Sequence, residues 1–318
     1  MKAMVSQTSV GAFEAVVLEN AYLRAVILPG LGGRVWELED RIRGRQWIWH
    51  REDVPLQESP VGAVYDDVWA GGWEELFPND APCWFEGRDL PDHGEWWTMH
   101  WTVADSSSGL MANARLSAKS SLLKVSCVKE FCLASDAAAL LVRYHIRSDE
   151  FKPFHFLFKQ HLAIAISPDC RLWMPGGQVQ VVDPLFGTML PGGDPFYWPF
   201  ARGGGQVVDL SVIPHPSSKA REFVYVRDLP QPWCGIEDML QGASIRMNFD
   251  SRQLPFVWLF LTYGGWRNLY TAVLEPCSNL PKDLSEAVRL GQSARLEPGQ
   301  EFETRVSVTL AGLNEREH

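Results

Sequence analysis

Three groups of residues in this sequence combine types and spacings that proton-transfer or ligand-binding chemistry needs. The first lies between Phe154 and Ile166, where Phe154, Phe156, Phe158, Leu162, Ile164 and Ile166 alternate with a set that includes His155, Lys159 and His161. A two-residue period puts the apolar set on one face of a strand and the ionisable set on the other. An imidazole titrates near neutrality, so it can give or take a proton at physiological pH. The polar face fits either a solvent-filled cleft or the ordinary wet side of a sheet. The second group is Glu275, which follows the apolar run Tyr270 to Leu274 and precedes Pro276. Proline has no N–H for a central ladder, so the order predicts Glu275 at a strand end. A carboxylate there, partly desolvated by Leu274, could act as a general base; a surface glutamate entering a loop fits the same order.

The third group is Asp92-His93-Gly94-Glu95, preceded by Gly71-Gly72-Trp73-Glu74-Glu75-Leu76-Phe77-Pro78-Asn79-Asp80. Nine of the 14 tryptophans fall between Trp36 and Trp101, so this region offers flat apolar faces beside carboxylates and a histidine. That is how a polyhydroxylated ring is held, its C–H face on an indole and its hydroxyls on charged groups. Most of the nine must nevertheless be core, because indoles are mainly buried.

The elements that must position these groups read as strands. Phe13 to Leu18, Tyr22 to Leu28, Ser121 to Phe131, Ala139 to Ile146 and Phe154 to Ile166 are short apolar segments with period-two character. So are Ala243 to Phe249, Phe256 to Thr262, Leu269 to Leu274 and Phe302 to Leu310, and Gly, Pro, Asn and Asp clusters separate them. Glu19-Asn20 marks a turn, and Glu297-Pro298-Gly299-Gln300 has the order of a type II turn. Leu284 to Leu290 reads as one or two helical turns. The Pro- and Gly-rich stretch from Pro175 to Gly205 carries Trp173 just before it and Phe186, Phe196, Tyr197, Trp198 and Phe200 within it. That density suggests loops packed over a sheet rather than a tether. The reading is an all-β, antiparallel fold in a single domain over residues 1–318.

Composition sets the outer limits. The 318 residues are 46% hydrophobic and 21% charged, enough apolar material for a substantial core. With 29 Lys and Arg against 39 Asp and Glu, the net charge is −10 and no basic block is present, which argues against a nucleic-acid partner. Apolar runs such as Phe256 to Leu261 are too short to span a bilayer, and no leader pattern opens the chain, so a cytoplasmic protein without a membrane partner is expected. Cys83, Cys127, Cys132, Cys170, Cys234 and Cys277 lack C-x-x-C spacing and read as reduced, mostly buried thiols. No His-x-His or His-x-x-His pair suggests a metal. No phosphate loop or G-x-S-x-G elbow suggests dinucleotide or serine-hydrolase chemistry.

Several segments together resemble the aldose 1-epimerase superfamily, in particular its divergent bacterial galactose-mutarotase-like members. Leu28-Pro29-Gly30-Leu31-Gly32-Gly33-Arg34-Val35-Trp36-Glu37-Leu38 resembles the first hairpin of that family. Gly71 to Asp80 with Asp92-His93-Gly94-Glu95 is similar to its "GGW-E-FP" and "DHGE" signatures. Lys159-Gln160-His161 resembles the segment of its second histidine. Leu274-Glu275-Pro276-Cys277-Ser278, Leu284 to Gly291 and Leu296-Glu297-Pro298-Gly299-Gln300 are similar to its C-terminal block. The resemblance runs from Asn20 to Leu310, and the order and spacing of the motifs are more specific than any one of them. It departs from the best-known galactose mutarotases in its Trp-rich segment and in lacking their Asn-Arg element.

The resemblance implies a β-supersandwich with a concave sugar cleft and an isomerase that interconverts the α and β anomers of a free hexose or modified sugar without a cofactor or metal. Glu275 would take the proton of the anomeric hydroxyl and His161, as imidazolium, would protonate the ring oxygen. A nearby carboxylate would keep His161 charged. His93 would bind the sugar, with Arg34, Trp73 and Glu75 in the wall. Lys159 would share the face of His161, where it suits an anionic substituent on the sugar or is simply solvated. The partner expected is a small sugar, and the assembly a monomer or homodimer. A non-catalytic carbohydrate-binding or regulatory protein on the same fold is the alternative.

Overall fold

The computed structural model describes residues 2–190, 194–203 and 205–314. Positions 191–193 and 204 of the aromatic-rich stretch, and residues 1 and 315–318 of the expected domain, lie outside the described residues. Two large antiparallel sheets dominate the architecture, with three two-stranded sheets beside them among the described residues. The first has twelve strands among the described residues. Its path runs Met4–Val10, Phe13–Glu19, Leu23–Leu28, Arg34–Asp40, Trp73–Leu76, Lys159–Ile164, Tyr270–Cys277, Phe256–Tyr263, Ala220–Arg227, Gln178–Val181, Phe196–Tyr197, with Arg45–Gln46 beside Arg34–Asp40. The second has eight, from Cys170–Trp173 at one edge through Glu301–Gly312 and Ala139–Ser148 to Thr102–Ser107 at the other. The all-β antiparallel sandwich expected from the sequence is the fold observed.

Alternation explains the packing. Along Glu301–Gly312, Phe302, Thr304, Val306, Val308 and Leu310 are buried while Glu301, Glu303 and Arg305 are exposed, so this strand turns one face to water. Leu18, Ile27, Val35, Leu162 and Leu274 of the larger sheet meet Leu133, Val142, Ile146 and Val308 of the smaller in one core. Each such side chain contributes roughly 1.5–3 kcal/mol on burial. Lys159–Ile164 is buried at every position, because loops cover the face that it turns away from the core.

The expected strand Phe154 to Ile166 is two strands. Phe154–Phe156 pairs with Ala294–Leu296 in a small sheet of its own, and Lys159–Ile164 enters the large sheet. The break falls where Leu157 N–H donates to Pro78 O at 2.7 Å and Phe158 N–H donates to Ser278 Oγ at 2.9 Å, bonds that take the backbone out of any ladder. Strand Tyr270–Cys277 shows the reverse error: it continues through Pro276 to Cys277, so Glu275 lies inside a strand and not at its end. The proline leaves its mark in the ladder with Lys159–Ile164. There Lys159 pairs with Cys277 and Leu162 with Leu274, but the positions between, Gln160 and His161 opposite Pro276 and Glu275, form no ladder pair.

The predicted C-terminal features are present. Leu284–Arg289 is a short helix whose Asp283 side chain accepts from Glu286 N–H at 2.8 Å. Gln300 N–H bonds Glu297 O at 3.0 Å with Gly299 at φ +75°, as a type II turn requires. Strand Met4–Val10 was not legible, since it is a mostly exposed edge strand without apolar alternation. Strand Ala220–Arg227 was also unread. All six cysteines are free, five of them buried. Among the described residues no helix is long and apolar enough to cross a membrane.

Candidate active site

Three neighbouring strands, Trp73–Leu76, Lys159–Ile164 and Tyr270–Cys277, present Glu74, Lys159, His161 and Glu275 on the face turned away from the second sheet. Trp73, Leu162 and Leu274 face the inter-sheet core. A short helix, Tyr65–Val68, and the loop around His93 cover that face. The loop is held by backbone bonds from His93 N–H to Asp80 O at 2.7 Å and from Glu95 N–H to Phe77 O at 2.9 Å. His93 itself adopts φ +61°, a left-handed conformation that a non-glycine residue takes at a cost, which these bonds offset. Gly94 is obligatory behind it, because a Cβ there would lie 2.2 Å from Phe77 O.

Two chains of polar contacts meet at this face. In the first, Arg34 ion-pairs with Glu74 at 2.6 Å, and Tyr65 O–H donates to the other Glu74 oxygen. The Tyr65 oxygen also lies 3.2 Å from Nδ1 of His161. In the second, Lys159 ion-pairs with Asp80 and, at 2.5 Å, with Glu275, its ammonium 4.2 Å from the Trp258 ring centroid. Between the chains, His93 stacks on Tyr65 with ring centroids 3.9 Å apart and planes 5° from parallel, and it meets His161 edge-on at 6.3 Å. Nδ1 of His93 is 2.8 Å from Asp92 Oδ1, while Asp92 Oδ2 accepts from Tyr65 N–H at 3.2 Å, which ties the helix to the loop.

Burial and these partners set the protonation states. Burial, then the nearby cations Lys159, His93 and Arg34, push His161 well below the usual imidazole value, so it is neutral at rest. Burial also lowers His93, but the hydrogen bond to Asp92 and the charges of Asp80 and Asp92 outweigh it, and its net direction is upward. Burial raises Glu275 above the ordinary carboxylate range against the pull of Lys159. Burial would lower Lys159, yet Asp80 and Glu275 hold it above its ordinary value, a fixed cation. The expectation that a nearby carboxylate keeps His161 charged is therefore corrected: burial and the cations beside it push its imidazole down, while that of His93 moves up.

His93, Lys159, His161 and Glu275 all line one cavity of 260 Å³. Trp69, Phe186, Phe223, Phe260 and Trp266 supply its aromatic wall, and Asp66, Asp183 and Lys282 its rim. Larger hollows of 610 and 530 Å³ exist elsewhere, but their charged lining residues are half-buried or exposed. Three of the expected wall residues are not in the cavity. Trp73 and Glu75 point to the other side of their strand, where Trp73 Nε1–H donates to Gln160 at 2.8 Å and Glu75 pairs with Lys129 and accepts from Tyr144 at 2.5 Å. Arg34 lies behind Glu74, its remaining N–H groups on Leu31 O and Gly71 O at 3.2 and 3.0 Å. Lys159 is neither solvated nor free for an anion, since two carboxylates take its charge. His155 is carried off with its own strand to Ser293, 2.7 Å away.

Sequence reasoning missed Tyr65, Trp69, Glu74, Asp80, Phe260 and Trp266. Glu74 had a usable signal: strand parity makes it, and not Glu75, the partner of His161 across the ladder. Tyr65 had none, because a four-residue helix has no period to read. For a metal, among the described residues His145, Glu301 and Glu303 bring ligand atoms within 4.8 Å of one another. They lie on the outer face of the smaller sheet, both glutamates exposed.

No known protein-family profile matches the sequence. Solved structures do match its fold over nearly its whole length. A Klebsiella pneumoniae protein provisionally named an aldose 1-epimerase superposes with TM-score 0.74 at 12% identity, over 98% of this chain and 84% of that one. A galactose mutarotase-like protein from Clostridium acetobutylicum gives 0.73 at 14% identity, over 98% and 99%. A galactose mutarotase related enzyme from Lactobacillus acidophilus gives 0.67 at 13%, over 96% and 99%. The chain thus has the galactose mutarotase-like β-sandwich fold that the resemblance implied.

Proposed function

We propose that this protein is an aldose 1-epimerase that interconverts the anomers of one free monosaccharide by acid–base ring opening. One observation carries the reading: a buried carboxylate and two imidazoles whose proton affinities are pushed in opposite directions converge on a single aromatic-walled cavity. At 260 Å³ the cavity is smaller than the roughly 300–1,000 Å³ that drug-sized ligands occupy, so it suits one sugar ring. Trp69, Phe260 and Trp266 offer faces for the ring C–H groups.

In this reading Glu275 takes the proton from the anomeric hydroxyl as the C1=O double bond forms. The bond from C1 to the ring oxygen breaks, and that oxygen receives a proton from the imidazolium form of His161, which has taken up that proton from solvent before the sugar reacts. Rotation about C1–C2 turns the aldehyde, and the reverse transfers reclose the ring with both residues restored. The raised carboxylate of Glu275 is a better base than an ordinary one. The lowered imidazole of His161, once protonated, is a stronger acid than an ordinary one. His93 hydrogen-bonds the sugar. Lys159 keeps Glu275 anionic in an apolar setting and fixes its position. Because that lysine is already paired, the reading favours a sugar without an anionic group.

The test is anomer exchange by saturation-transfer NMR over a panel of neutral and anionic free sugars, with Glu275→Gln alongside. Exchange above the solvent rate that Glu275→Gln removes supports the reading. Binding without exchange would place the protein among non-catalytic sugar binders.

A further inference from the structure

We infer that Tyr65 and Glu74 act as a positioning pair that holds the Nδ1 proton of His161, leaving Nε2 as the only ring nitrogen that exchanges a proton with a ligand. The inference rests on the acid–base reading of this site, but its core is a statement about one imidazole that needs no substrate.

The hydrogen count is restrictive. Tyr65 has one O–H, and it donates to a carboxylate oxygen of Glu74, whose other oxygen is on Arg34. With that proton committed, the phenolic oxygen can only accept from Nδ1 of His161, 3.2 Å away, so Nδ1 must carry hydrogen. A neutral imidazole has one N–H, and its lone pair is then on Nε2. The geometry leaves little room for another arrangement. Tyr65 is clamped face-on by His93 and edge-on by Trp97 at 5.1 Å, and Trp69 packs edge-on against His161 at 5.2 Å. Arg34 is fixed by backbone carbonyls, so Glu74 cannot swing away without leaving the charge of a buried guanidinium unneutralised.

The pair has two consequences for the proposed reaction. Protonation of Nε2 leaves the Nδ1–H bond intact, so charging the ring moves no heavy atom. The carboxylate of Glu74, one phenol away, faces the cation that forms, opposing Lys159, His93 and Arg34, which disfavour it. In a ring-opening cycle the imidazolium, charged beforehand by uptake of a proton at Nε2, passes that proton to the ring oxygen while the anomeric hydroxyl proton passes to Glu275, and both return on reclosure, so the cycle itself gains or loses no proton.

The test is a long-range ¹H–¹⁵N correlation spectrum of ¹⁵N-histidine protein near pH 7 without sugar, on the wild type and on Tyr65→Phe, with His161 assigned by its loss in His161→Gln. The wild type is expected to show protonated Nδ1 and unprotonated Nε2. Tyr65→Phe keeps the ring stack and is expected to shift His161 to the Nε2–H form or a mixture. A wild-type His161 protonated at Nε2 alone would overturn the inference, as would an unchanged pattern in folded Tyr65→Phe. If a sugar undergoes exchange, Tyr65→Phe is expected to lower kcat about tenfold with KM little changed, the effect of one lost hydrogen bond made to the charged form. Should no sugar exchange, the epimerase reading falls while the tautomer remains measurable.

Discussion

The strands Trp73–Leu76 and Lys159–Ile164 carry two buried polar networks, one on each face, built from adjacent residues. Outward, Glu74 joins Arg34, Tyr65 and His161, and Lys159 joins Asp80 and Glu275. Inward, Glu75 joins Lys129 and Tyr144, and Gln160 joins Trp73 and Tyr144. Both are as dry as the core: Glu74, Gln160 and Lys129 are all fully buried. The inward network is closed, its cation held by Glu75 and Gly32 O between the Trp96 and Trp101 rings. The outward one surrounds a cavity and puts carboxylate and imidazole atoms on its wall. Burial of charge is thus common to both faces, and only the open space separates a candidate catalytic arrangement from an architectural one.

That contrast predicts different failures for substitutions one residue apart in space. Glu275→Gln removes the proposed base, and anomer exchange should drop about 10²–10⁴-fold while the melting transition stays sharp. Loss of the fold instead would merge the two networks into one structural role. Lys129→Met strands the Glu75 carboxylate in the core and should cost about 3–5 kcal/mol of unfolding free energy in urea titration, with near-normal exchange in the folded fraction. Trp266→Ala strips one aromatic wall and should raise KM about tenfold, read from initial rates, at little change in kcat. Trp73→Phe, on the inward face, loses one hydrogen bond to Gln160 and should cost about 1 kcal/mol of stability without touching KM. A KM change in that variant would show that the two faces are coupled.

The fold was legible because antiparallel strands with a half-buried face write their alternation into the sequence, as Ala139–Ser148 and Glu301–Gly312 do. The parity of Phe158 to Ile164 was also right: even positions face the core. What the pattern could not show is that the odd face is roofed. The pattern left His161 and Lys159 open between a cleft and a wet surface, because Tyr65, the His93 loop and Trp266 arrive from distant segments with no periodic signal of their own. The resemblance named Glu275, His161 and His93 but chose Glu75 over Glu74. Strand direction, not residue type, separates those two. Glu275 was misplaced at a strand end because proline usually stops a ladder; here the sheet tolerates it by omitting the pairs opposite His161 and Gln160.

The sign of each shift makes pH the most discriminating variable for the central claim. Glu275 must be ionised to accept a proton, and its raised value moves the acid limb of activity above that of an ordinary glutamate. The alkaline limb follows loss of the proton that is donated. If His161 donates it, the limb in kcat/KM falls below pH 6.5, because burial and the neighbouring cations lower that group. A limb above 6.5 would transfer the donor role to His93, which is raised. The decisive measurement is therefore the anomer-exchange kcat/KM for the best sugar of the panel, followed from about pH 4 to about pH 9 in the wild type. The account predicts a bell-shaped profile whose acid limb disappears in Glu275→Gln together with most of the activity. A flat profile, or one unchanged by that substitution, would contradict it.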